Sequence, residues 1–66
     1  MDHIAVPMDK QWLSVADVAS YMGVSAHVVT SMFRAGEVPA VKFGREWRVA
    51  RVDLESYLNE ARRKLL

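Results

Sequence analysis

Cysteine is absent from this chain, so neither a disulfide nor a thiolate metal site can supplement its core. The only histidines, His3 and His27, lie far apart and lack the spacing of a zinc pair. No apolar run approaches the ~20 residues of a membrane span, and the N-terminus lacks the basic-then-apolar pattern of a signal peptide. These absences predict a soluble, cytoplasmic protein with no membrane association. There is no glycine-rich phosphate loop, no metal-ligand cluster and no acid–base pair at a recognisable spacing. The expectation is therefore a protein without catalysis, cofactor, metal or small-molecule ligand. Sixty-six residues make one domain. A chain this short buries only ~60% of its unfolded surface, so it must use nearly every apolar side chain it has.

The net charge of +1 is small, but it is unevenly placed. Residues 1–33 carry Lys10 against Asp2, Asp9 and Asp17, a balance of −2. Residues 34–51 carry Arg34, Lys42, Arg45, Arg48 and Arg51 against Glu37 and Glu46, a balance of +3; residues 52–66 sum to zero. A solvated, locally basic surface would account for this. So would an electrostatic footprint for phosphate.

Residues 1–11 contain Pro7 and no sustained periodicity, and read as a flexible N-terminal arm before a domain spanning 12–66. A first helix starts at Ser14, whose hydroxyl can accept the amide of Asp17, itself a shorter relative of the capping-box glutamate. Val15, Val18, Ala19 and Met22 recur at i, i+3, i+4 and i+7, one buried stripe, with Leu13 and Val18 placed as a hydrophobic staple. Gly23 ends the helix, because it enters the left-handed conformation without a Cβ clash. A second helix repeats the pattern: Ser25 caps it, Val24 and Val29 can staple it, and Gly36 terminates it. Only a tight turn fits between the two, so the helices must cross steeply. Val28, Val29, Met32 and Phe33 form the apolar side of the second helix. His27, Thr30, Ser31 and Arg34 form a polar stripe on another side. Any surface helix needs a polar face, but this one has no carboxylate, and its groups all suit base edges or phosphates.

Next, Val41 and Phe43 alternate with Lys42, and Trp47 and Val49 alternate with Arg48, around a short loop at Gly44, Arg45 and Glu46. This predicts a hairpin whose apolar face covers the helices, with Lys42 and Arg48 on the opposite face and Arg45 at the tip. Trp47 reads as a core anchor in preference to a stacking platform. From about Arg51 onward, Leu54, Tyr57, Leu58, Ala61 and Leu65 recur at helical spacing, and Arg62, Arg63 and Lys64 suit the negative end of that helix. The predicted fold is α+β and mostly helical: a small winged helix-turn-helix of two short helices, a β-hairpin wing and a C-terminal helix.

The phrases Leu13-Ser-Val-Ala-Asp-Val-Ala19, Gly23-Val-Ser25, Arg34-Ala-Gly-Glu-Val-Pro-Ala-Val-Lys42, Phe43-Gly-Arg-Glu-Trp-Arg-Val49 and Asp53-Leu-Glu-Ser-Tyr-Leu58 follow one another in order. Together they resemble the excisionase family of phage recombination directionality factors, related to the winged heads of MerR-type regulators. The resemblance implies binding to double-stranded DNA, with the second helix in the major groove and the wing at the adjacent minor groove. Carried over by position, it implicates Ser25, His27, Thr30, Ser31 and Arg34 on the recognition helix and Lys42, Arg45 and Arg48 on the wing. It also implies a tyrosine- or serine-type integrase as partner, head-to-tail self-association on DNA, and a bacterial host cell. Relatives usually place a basic residue after the capping serine and a larger one further along, where this chain has Ala26 and Ser31. Arg34 is thus the only permanent cation of a lean recognition helix. Ala50 is a poor cap for the last helix, whose start is expected to fray.

A full MerR-type regulator needs a long dimerisation helix and an effector domain, and the chain stops at Leu66. An excisionase that bends DNA over tandem sites near an attachment site is therefore the leading expectation. The alternatives are a small MerR-like transcriptional regulator or phage repressor, and a protein-interaction module that has lost DNA. Neutralising four or five phosphates predicts a salt slope of about −4, which a protein-only module would lack.

Overall fold

The computed structural model of the chain describes residues 11–65. Six elements follow in order: β1 (Trp12–Ser14), α1 (Val15–Met22), α2 (Ala26–Arg34), β2 (Val41–Phe43), β3 (Glu46–Ala50) and α3 (Arg51–Leu65). The strands form one antiparallel sheet in the order β1-β3-β2. This is the small, mostly helical winged helix-turn-helix that the pattern of caps and alternations predicts. The expected N-terminal arm falls on residues outside those described, save for Gln11.

Both short helices are fixed by their caps. The Asp17 amide donates to Ser14 Oγ at 3.1 Å, and the Ser14 amide donates to the Asp17 carboxylate at 3.0 Å, a reciprocal capping box. Gly23 closes α1 with φ of 72°. Ser25 Oγ accepts the Val28 amide at 3.2 Å and starts α2. The end of α2 lies one residue before the expected stop. Ala35 is the cap, while Gly36 and Glu37 donate back to the carbonyls of Phe33 and Met32, both at 3.1 Å. That pair of bonds is a Schellman closure, which satisfies carbonyls the helix leaves open.

β1 is the element that periodicity does not reveal, since three residues are too few to show alternation. Its middle residue, Leu13, pairs with Val49, and both are fully buried. They join Val18, Ala19, Val29, Phe33, Val38 and Leu54 in a single core. Val15, Met22, Met32, Trp47, Tyr57 and Leu58 pack around it, half-buried. Val28 does not: it is 43% exposed, against the expectation that it shares the apolar side of α2. At 100° per residue the core-facing sector of so short a helix is already filled by Val29, Met32 and Phe33.

The hairpin departs from its expected facing. Phe43 pairs with Glu46, Lys42 with Trp47 and Val41 with Arg48, so the turn is the two residues Gly44 and Arg45. Gly44 has φ of 62° and Arg45 has no positive φ, as a type II′ turn requires. Cross-strand partners share a face. Lys42 and Trp47 therefore stand on one side of the ribbon, and Val41, Phe43, Glu46 and Arg48 on the other. The expected grouping of Lys42 with Arg48, opposite an apolar face of Val41, Phe43, Trp47 and Val49, is overturned. A one-residue difference in loop length inverts the facing of one strand relative to its partner.

The start of α3 is held in place. The Arg51 amide donates to the Gln11 carbonyl at 2.8 Å, which extends the β1–β3 pairing into the helix and supplies the partner that Ala50 cannot. An Arg51–Glu55 ion pair at 3.2 Å follows one turn on. Among the described residues no helix is long and apolar enough to cross a membrane.

Candidate nucleic-acid interface

A cleft of about 400 Å³ opens where α2, the first turn of α1 and the hairpin meet. Thr30 and Arg34 line it from α2, and Lys42, Arg45, Trp47 and Arg48 from the wing. Ser14, Val15 and Ala16 close the third side, where the capped N-terminus of α1 contributes the positive end of its dipole. β3 is longer than β1, so Glu46 and Trp47, which precede Arg48, have no partner on the β1 edge, and both border the opening.

Five of the eight candidate DNA-contacting residues thus gather around one concavity. Thr30 and Arg34 reach it because they sit one turn apart on α2, at i and i+4. Ser25, His27 and Ser31 are exposed on α2 and are not among the residues lining the cleft. His27 and Ser31 share the outward surface of the helix, and Ser25 stands at its N-terminus.

The wing cations differ in their freedom. Lys42 Nζ lies 5.4 Å from the centre of the Trp47 ring, a cation–π contact that holds the ammonium above the core. Trp47 itself is half-buried, with its ring 5.9 Å from that of Phe33, as a core anchor should be. Arg45 is exposed at the turn. Arg48 is engaged: its Nη2 meets Glu46 Oε1 at 2.7 Å, and its Nη1 donates to the Trp47 carbonyl at 3.0 Å. Glu46 is the acid that charge counting along the chain does not pair with a partner, because the pairing depends on two residues of one strand lying on one face. It is also the only carboxylate lining the cleft.

A larger groove of about 740 Å³ lies between α3 and the segment after α2, lined by Glu37, Asp53, Glu60, Tyr57 and Lys64 among others. Its carboxylates outnumber its single cation, so it is unsuited to phosphate. Burial, then the charge of Glu37, then a 3.5 Å hydrogen bond from the Tyr57 hydroxyl to Glu37 raise the phenol above its ordinary pKa. Among the described residues no group of three or more acidic or histidine side chains is placed to hold a metal ion.

Two short, packed and individually capped helices with a basic cleft against a hairpin define a winged helix-turn-helix DNA-binding domain. A helix-turn-helix domain family, one of excisionase-like DNA-binding domains, matches residues 12–62, and the chain belongs to it. Neither the curated proteins nor the solved structures yield a significant match.

Proposed function

We propose that the chain is an architectural DNA-binding protein of the excisionase kind, a recombination directionality factor. It binds adjacent sites beside an attachment site, bends the duplex and steers a tyrosine- or serine-type integrase toward excision. The observation that carries this reading is the single cleft in which Thr30 and Arg34 of α2 meet Lys42, Arg45 and Arg48 of the wing. A helix and a ribbon that share a cationic concavity can grip one phosphate strand between them. The helix then enters the major groove and the wing reaches the next minor groove.

In this placement His27, Ser31 and Arg34 read base edges, Ser25 meets a phosphate at the helix start, and Arg45 enters the minor groove. The recognition helix has one permanent cation, so a single copy binds weakly and occupancy depends on neighbours. Bending about 20–30 base pairs through 40–90° requires on the order of 1–6 kcal/mol, which several copies can supply together.

Gel-shift and bending assays on duplexes with tandem attachment-site repeats test the proposal. Arg34→Ala weakens binding through the major-groove helix. Arg45→Ala chiefly reduces bending and salt-sensitive affinity. Occupancy and curvature equal to the parent in both variants would refute the placement, and sites mapping to promoters alone would favour a transcriptional regulator.

A further inference from the structure

Among the described residues, six large apolar side chains are exposed outside both the core and the cleft; one of them, Val52, stands alone in the first turn of α3, and the other five fall into two groups. Trp12, Val41 and Phe43 are 47%, 44% and 55% exposed on the sheet face turned away from the helices. The Trp12 and Phe43 rings meet edge to face, 5.8 Å between centres. With Glu46 and Arg48 they line a groove of about 320 Å³. Val24, 37% exposed, precedes α2, and Val28, 43% exposed, stands in its first turn. At 100° per residue Val28 stands about 160° around α2 from Thr30, which lines the cleft, so it points away from the wing.

We propose that the outer sheet face of one copy docks on the flank of Val24 and Val28 of the next copy along the duplex. The inference rests on the proposed side-by-side binding and names the surfaces that achieve it. With α2 and the wing seated on DNA, one apolar flank faces each way along the helix axis, and neither is covered by the duplex. The two flanks are unlike, so pairing one with the other makes a heterologous contact, which repeats indefinitely instead of closing as a dimer. Each flank exposes on the order of 300 Å² of apolar surface or less, given the size of such side chains. That is far below the ~1,600 Å² of a stable complex. A contact so small does not hold free copies together, but it is sufficient between copies that DNA has already brought to a high effective concentration. Charge does not oppose the approach: Glu46 and Arg48 neutralise each other at the rim of the sheet face. Apart from titratable His27, residues 24–28 carry no charge.

The test uses the full chain and duplexes selected from a random-sequence pool, carrying one site or two adjacent sites. The measured quantity is the ratio of two-site to one-site affinity, which cancels any change in binding to a single site. For the parent a ratio of roughly tenfold or more is expected. Val41→Glu and Val28→Lys should each bring it near unity. The double variant should restore it, because the introduced carboxylate of one copy meets the introduced ammonium of the next. Several results overturn the inference: a parent ratio of one, single variants that keep the parent ratio, or a double variant no better than either single. Loss of thermal stability in Val41→Glu with the ratio kept would place residues 1–10 of the same chain on this face. Loss of one-site affinity in Val28→Lys with the ratio kept would assign Val28 to a base contact. Either is also fatal. No binding to either duplex overturns the DNA reading itself, whereas one-site binding without the ratio overturns only the docking.

Discussion

Replacing Glu46 by glutamine should tighten DNA binding and make it more salt-sensitive. Four cations line the cleft, but Arg48 is bound to Glu46 at 2.7 Å, so the cleft offers a net charge of three to the duplex. With one phosphate neutralised per net charge, log affinity should fall with log salt at a slope of about −2.7, not the −4 that counting cations along the sequence suggests. Glu46→Gln releases Arg48, and the slope becomes about −3.6. Between about 50 and 200 mM salt the parent then loses roughly 40-fold in affinity and the variant roughly 150-fold. The variant should also bind more tightly at the low-salt end, where the carboxylate no longer repels the backbone. Folding should hardly change, because an ion pair with Glu46 this exposed contributes little to stability. Fluorescence anisotropy of a labelled duplex, titrated at several salt concentrations, gives both slopes. A variant slope equal to or shallower than the parent's would show that Arg48 does not meet phosphate, and the four-cation cleft would lose its meaning.

Two further outcomes follow from the core and from the acidic groove. Leu54 is fully buried where α3 meets the sheet, so Leu54→Ala should remove about 2–5 kcal/mol, much of the stability available to a chain this short. Urea unfolding at constant temperature measures it, and a loss under 1 kcal/mol would mean the site collapses around the smaller side chain. The Tyr57 pKa is raised, so the fold favours the protonated phenol. Its contribution is intact below about pH 10, the unfolded value, and is lost as pH rises through the higher folded value. Alkaline unfolding followed by circular dichroism should show that fall in the parent and a flatter profile in Tyr57→Phe. Identical profiles would exclude Tyr57 as its source.

The two short helices, α1 and α2, are legible because each carries its own punctuation. Ser14 with Asp17, and Ser25 with the amide three residues on, are local bonds that need no knowledge of the rest of the chain. The glycine that closes each of these two, Gly23 after α1 and Gly36 after the Ala35 cap of α2, is equally local. Leu54, Val18 and Val29 could be placed in the core from periodicity for the same reason. β1 was hidden because its bonds are made to β3, some 36 residues later at Leu13 and Val49, and three residues cannot show an alternation. Periodicity groups Val28 with the apolar side although it is exposed, because apolar character alone does not say how wide a buried sector is. That width depends on what packs against the helix, here α1 on one side and little on the other.

In the hairpin, alternation marks the two strands but not their relative facing. Alternation shows which residues of one strand share a face, but only the turn decides how that face relates to the next strand. A three-residue loop would have set Phe43 opposite Trp47. The two-residue turn at Gly44 and Arg45 sets it opposite Glu46 and brings Lys42 over Trp47. The same shift puts Glu46 and Arg48 on one side, within ion-pair distance, and so removes one charge from the cleft. A double substitution separates the two arrangements. If Arg48 were an independent phosphate contact, Glu46→Gln combined with Arg48→Ala would still remove one neutralised phosphate, and the salt slope would be shallower by about 0.9. If the pair is internally neutral, as the geometry gives it, losing both members leaves Arg34, Lys42 and Arg45, and the slope stays at about −2.7. A parent slope near −3.6 that falls to about −2.7 in the double variant would return Arg48 to the role that the sequence alone assigns it.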